Sequence, residues 1–153
     1  YGGDPGRVFA VRHSAGGDLT SMIGLDKRWL EPYGIDPDTA FVALIPYSGQ
    51  VVTHFERRRE LGLPDTQPLV DDMAPLSYVR PDCRPMLILS GDREREMLGR
   101  YEENAYFWRM MRVAGHPDVR ICEFDGFDHG NMPQAGHFVA VRYIREMERR
   151  MDR

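Results

Sequence analysis

Four short apolar runs, at residues 7–12, 40–46, 85–90 and 119–124, do most to limit what this chain can fold into. Each is too short for a typical helix, and the set is rich in Val, Ile, Leu and Phe, which predicts strands covered on both faces. Helical stretches stand between them. Residues 14–26 carry Leu19, Met22, Ile23 and Leu25. Residues 97–114 place Leu98, Tyr101, Ala105, Trp108, Met111 and Ala114 near a 3.6-residue spacing, and Gly115 and Pro117 stop that helix. From about 134 to 151, Phe138, Val141, Ile144, Met147 and Met151 share one face. Strands alternating with helices imply right-handed crossovers and a parallel sheet. The expected class is α/β, with about four parallel strands flanked by helices.

Residues 50–82 break this rhythm. They are polar, carry Pro64, Pro68, Pro75 and Pro81, and offer one helical stretch near 53–61. A connection of that length reads as a lid or cap-like excursion over the sheet. The 153 residues otherwise amount to one domain, with no internal repeat and no low-complexity tract.

The net charge of −4 lacks the basic stripe of a nucleic-acid surface, and Arg57-Arg58-Arg59 is flanked by Glu56 and Glu60 as a solvated helical face would be. No apolar run approaches the roughly 18 residues of a membrane span. The first residues, Tyr1-Gly2-Gly3-Asp4-Pro5, do not resemble a leader. Cys83 and Cys122 lie in no metal-ligand spacing and read as free thiols of a reducing compartment, which favours the cytoplasm. No metal or cofactor is implied, and neither nucleic acid nor a membrane is an expected partner.

Chemistry concentrates where the strands end. The run Arg12-His13-Ser14-Ala15-Gly16-Gly17 joins the first strand to the first helix. A serine in such a strand–turn–helix junction is the layout of a nucleophile elbow, G-x-S-x-G, with Gly16 at the last position and Arg12 in place of the first glycine. Gly91-Asp92-Arg93-Glu94 follows the third strand, and Asp128-His129-Gly130 follows the fourth. In a parallel sheet these positions fall at the carboxyl ends of the strands, where sites form. A serine hydroxyl needs an imidazole to take its proton. The imidazole needs a carboxylate to fix its tautomer. The N–H of Ala15, next to the serine, would be one oxyanion donor.

On these residues the chain resembles the carboxyl-terminal half of an α/β-hydrolase, closest to carboxylesterases of the hormone-sensitive-lipase-like and feruloyl/acetyl-xylan-esterase-like groups. The likeness rests on Gly3-Asp4-Pro5-Gly6-Arg7, His13-Ser14-Ala15-Gly16-Gly17, Gly91-Asp92-Arg93-Glu94 and Gly126-Phe127-Asp128-His129-Gly130. It implies a partial α/β-hydrolase domain over 1–153, with Ser14 as nucleophile and His129 as base. It also implies an acid three residues past the strand-ending glycine, which is Glu94, with Asp92 as the alternative. The activity it implies is hydrolysis of carboxylic esters through an acyl-enzyme, with acetyl or feruloyl esters as candidate substrates and residues 50–82 lining the acyl or alcohol pocket. The family's earlier strands and its glycine-rich oxyanion loop have no counterpart here, so the flank of the elbow strand is expected to be open to self-association or to a partner chain. An alternative reading is a catalytically silent remnant or half-domain that binds or scaffolds.

Other residues read more plainly. His13 packs beside the elbow, and His54, His116 and His137 are surface or helix-flank residues. Asp128 shapes its loop, and Trp108 and Tyr101 belong to the core. Arg12 either escapes along the sheet edge or distorts the elbow, because a buried unpaired charge is costly.

Overall fold

The computed structural model describes residues 2–153. In chain order the elements are β1 (Phe9–His13), α1 (Ala15–Leu25), α2 (Pro37–Ala40), β2 (Ala43–Tyr47), α3 (Phe55–Glu60), β3 (Met86–Gly91), α4 (Arg100–Val113), β4 (Val119–Phe124) and α5 (Met132–Met151). The strands form one sheet in the order β1-β2-β3-β4, every pair parallel. The register sets Val11 beside Ile45 and Ile88 beside Ile121. The expected α/β class and its four parallel strands are therefore present.

Side chains alternate across a strand, and that alternation sorts the core into two layers. On one face Ala43, Ile45, Tyr47, Leu87 and Leu89 pack against Met132, Ala140, Tyr143 and Met147 of α5. On the other, Leu44, Met86 and Ile88 pack against Leu25 of α1 and against Phe107 and Met111 of α4. Every residue of β2 and β3 is buried. Each large side chain so buried stabilises the fold by about 1.5–3 kcal/mol relative to exposure.

The outer strands differ from expectation. β1 has a neighbour on one side only among the described residues, and Val8 and Val11 are exposed along it, so the sequence pattern of a doubly covered strand fails there. Two helix faces are also rotated from the expected ones. α4 buries Arg100, Asn104, Phe107 and Met111, while Leu98 lies outside the helix and exposed. α5 buries Met132, Gly136, Ala140, Tyr143 and Met147 and leaves Phe138 exposed. In both helices small or polar residues sit at the closest approach to the sheet: a Cβ on Gly136 would lie 2.8 Å from the Tyr47 ring. Size at the contact, more than hydrophobicity, fixes which face turns inward.

His116, expected at the surface or on a helix flank, follows the end of α4 and is buried there, and its Nε2 lies 3.1 Å from the Cys83 carbonyl oxygen. Cys83 is a buried free thiol, and burial pushes it up to about 12; Cys122 is half-buried and also free. Residues 50–82 carry α3 and a 3-10 turn at Pro75–Tyr78 that packs against α1. Among the described residues no helix is long and apolar enough to cross a membrane.

α1 lies unusually close to β2. A Cβ on Gly24 would meet the Leu44 side chain at 2.2 Å, and one on Gly17 would meet the Gly49 backbone at 2.9 Å. This contact buries Asp18, whose Oδ1 has no hydrogen-bond partner among the described residues. Burial first, then the neighbouring Glu103 carboxylate, push Asp18 up to about 7, against the opposing pull of Arg100. Its folded value lies above the roughly 4 of an unfolded aspartate. The native state therefore holds a proton that the unfolded chain releases, and stability falls as pH rises through that interval. Asp18→Asn should raise Tm by several degrees near pH ~8 and by little near pH ~4. Calorimetry at the two pH values checks this, and an equal gain at both would contradict it.

Candidate active site

Ser14 stands between β1 and α1 with φ 57°, in the left-handed region that side chains seldom enter. The turn is held from the neighbouring strand, because the Ser14 N–H donates to the Tyr47 carbonyl at 2.8 Å. Small residues behind it let the helix start at once: Gly17 packs backbone to backbone on Gly49. Ala15 is the first residue of α1, where backbone N–H groups have no acceptor within the helix. Arg12 is exposed, and its side chain lies beside Gly16 along the open side of β1. The arginine thus escapes along the edge and the elbow keeps its turn.

His129 comes from the loop after β4. Its Nε2 lies 2.9 Å from Ser14 Oγ. The loop is built by short-range bonds: Phe127 N–H donates to the Phe124 carbonyl, and Asp128 Oδ1 accepts from the N–H groups of Gly130 and Asn131 at 2.9 Å each. Asp128 is placed as the loop-shaping residue it was expected to be.

The carboxylate at His129 is neither of the expected ones. Glu96 Oε1 lies 2.5 Å from His129 Nδ1, and the Glu96 side chain is fully buried. Glu94 is exposed, with its backbone N–H on Asp92 Oδ1 at 2.9 Å. Asp92 accepts in addition from the Gly126 N–H at 2.8 Å and so ties the loop after β3 to the histidine loop. Those two backbone N–H groups hold the Asp92 carboxyl below the usual range.

The reason lies in the backbone. After Gly91 the chain makes one helical turn around Asp92, whose carbonyl accepts from the N–H groups of Arg95 and Glu96. That turn points position 94 to solvent and brings position 96 back under the strand ends. Gly91 permits the fit, since a Cβ there would sit 2.7 Å from the Phe127 carbonyl oxygen. The missed signal was Asp92 itself: an aspartate that opens a turn moves the inward position two residues further along.

Burial alone would raise the Glu96 carboxyl. Hydrogen bonds from His129, from Ser48 and from the Met97 N–H outweigh it and bring the group down to about 2, so it is ionised over the working range. The His13 ring packs against that of His129 with centroids 4.6 Å apart, and its Nε2 has no partner among the described residues. Burial and then the nearby His129 lower His13's proton affinity. Ser48, which sequence reasoning overlooked, donates to Glu96 Oε2 at 2.6 Å.

Ser14, His129 and Glu96 thus form one hydrogen-bonded chain across the ends of β1, β4 and β3, an arrangement able to withdraw a proton from the serine hydroxyl. Among the described residues no group of three or more His, Cys, Asp or Glu side chains is placed to hold a metal ion.

No protein-family model matches the chain. Esterase LipQ of Mycobacterium tuberculosis is 28% identical over 144 residues, which cover 84% of this chain and 34% of that protein. Thermogutta terrifontis esterase 2, in its propionate-bound structure, superposes with a TM-score of 0.68 at 21% identity, over 91% of this chain and 55% of that one. Pyrococcus horikoshii acylaminoacyl peptidase does so with a TM-score of 0.64 at 17% identity, over 95% and 24%. The chain spans about a third of the curated relative and about half of the bacterial esterase. Its sheet order, its strand–turn–helix junction after β1 and these superpositions agree on one architecture: the chain has the α/β-hydrolase fold, over about half the length of the solved esterase it superposes on.

Proposed function

We propose that this chain carries the reacting residues of a serine hydrolase of carboxylic esters. The observation that supports this best is the unbroken path from Ser14 Oγ to His129 Nε2 at 2.9 Å and from His129 Nδ1 to Glu96 Oε1 at 2.5 Å. Ser14 Oγ attacks the acyl carbon while His129 Nε2 takes its proton. The Ala15 N–H faces the oxygen that gains charge, as one donor of the oxyanion hole. Collapse of the tetrahedral intermediate expels the alkoxide, which takes the proton from His129, and leaves an acyl group on Ser14. Water then attacks that ester with His129 again as base, releasing the acid and restoring Ser14. Glu96 remains ionised throughout and holds the imidazole in the tautomer that presents Nε2 to the serine.

The substrates we propose are small acyl esters, with acetyl ahead of feruloyl. A neighbouring esterase was solved with propionate and with butyrate bound, both short acids. A cavity of about 310 Å³ lies between Gln50, Val52, Arg58, Thr66 and Pro68 on one side and Leu98 and Gly99 on the other. It adjoins the loop that carries Glu96, and we assign residues 50–82 to the acyl or alcohol pocket on that basis. The test is hydrolysis of p-nitrophenyl acetate by the folded chain. Ser14→Ala should abolish the serine-dependent rate. Glu96→Gln should lower kcat at least about a hundredfold, and Glu94→Gln should leave it within about twofold. Loss of activity in Glu94→Gln with retention in Glu96→Gln would reject the assignment of the acid.

The open side of β1 is also proposed as an association surface, for a second copy or for a partner chain. Val8, Val11 and Leu19 are exposed there, and a cavity of about 450 Å³ runs along Phe9, Ala10, Arg12, Thr20 and Ile23. An unpaired strand edge with apolar flanks is prone to pairing. Size-exclusion chromatography should give a mass above that of one chain, reduced by Val11→Lys. A single-chain mass for the unaltered protein would contradict self-association through this edge.

A further inference from the structure

Ser48 follows β2 directly and is fully buried. Both of its backbone groups are fixed. Its N–H donates to the Leu89 carbonyl at 2.7 Å, and its carbonyl accepts from Arg100 Nη1 at 2.5 Å. Arg100 is itself buried and paired with Glu103 at 2.9 Å, and Glu103 accepts from the N–H groups of Val51 and Val52 at 3.0 Å each. The residue therefore sits in a frame that leaves only its hydroxyl free to turn. That hydroxyl donates to Glu96 Oε2 at 2.6 Å.

Two features make this more than a loop contact. Ser48 has φ 43°, in the left-handed region, where glycine would sit without strain. A serine there accepts a conformational cost that its backbone bonds alone would not require, since glycine could make them equally well. The two oxygens of Glu96 are also divided in use. Oε1 meets His129 Nδ1 and the Met97 N–H, whereas Oε2 meets Ser48 and, at 3.2 Å, the Gly91 N–H. A carboxylate only accepts, so the Ser48 hydroxyl must donate, and it fixes the rotation of the carboxylate about its last bond.

We propose that Ser48 is a positioning residue: its hydroxyl holds Oε2 of Glu96 so that Oε1 faces the His129 ring. The inference rests on the reading of Ser14, His129 and Glu96 as the reacting set. It adds a link from the loop after β2 to the orientation of the base. Arg100 supports the link from below by holding the Ser48 carbonyl.

The test compares Ser48→Gly and Ser48→Ala with the unaltered chain by two readouts. Proton NMR of His129 should give a strongly deshielded Nδ1–H resonance in the unaltered chain, moved upfield or lost to exchange in both variants. Hydrolysis of p-nitrophenyl acetate should show kcat about tenfold lower with KM within about twofold, the loss expected from one hydrogen bond to a charged group. Thermal unfolding of both variants confirms that each is folded at the temperature of the two readouts, so that a loss is read on folded protein. An unchanged resonance in the folded variants would overturn the proposal, as would a loss confined to Ser48→Gly, which would point to loop mobility. If the unaltered chain hydrolyses nothing, the hydrolase reading fails by itself, and the resonance still judges Ser48.

Discussion

The site depends on one buried carboxylate. Glu96 has no side-chain exposure, yet it accepts hydrogen bonds from Ser48 after β2, from Gly91 and Met97 around the turn after β3, and from His129 after β4. A buried charge of this kind is unfavourable unless its lone pairs are satisfied. Here they are satisfied by groups from three separate strand ends, so the same bonds that keep Glu96 ionised also fix the relative placement of three loops. The imidazole is oriented as a consequence. A carboxylate in the position of Glu94, exposed to water, could not tie these loops together.

The remaining requirement is that Ser14 be delivered to that imidazole. This is a matter of backbone closeness. Gly17 and Gly49 let α1 and the loop after β2 touch main chain to main chain, and Gly24, about two turns further along α1, makes room for the Leu44 side chain. The Tyr47 carbonyl, at the end of β2, then receives the Ser14 N–H and holds the left-handed turn. β2 thus serves both halves of the site: its last residue holds the turn at Ser14, and the residue after it holds Glu96.

Much of this was legible in the sequence where local pattern and tertiary demand agree. β2 and β3 are buried throughout and largely apolar because both faces are covered, and the run from Arg12 to Gly17 carries the small residues a sharp strand-to-helix turn needs. Ser14 and His129 could be read because each sits next to such a turn. Glu96 could not be read by counting from Gly91, because the turn around Asp92 takes up two more residues before the chain points inward. The inner faces of α4 and α5 were misjudged for a related reason. Hydrophobic periodicity marks Leu98 and Phe138, whereas closeness to the sheet selects Asn104 and Gly136. Ser48 had no local signal at all, since its partners, Leu89, Glu96 and Arg100, lie far along the chain.

The central claim is that His129, oriented by Glu96, makes the Ser14 oxygen nucleophilic. Reaction of the folded chain with a fluorophosphonate, followed by intact mass and peptide mapping, measures this directly and needs no knowledge of the natural ester. The account predicts one adduct, on the peptide bearing Ser14, formed far more slowly when Glu96 is replaced by Gln. A folded chain that takes up no adduct, or one labelled as fast without Glu96 as with it, would contradict the account.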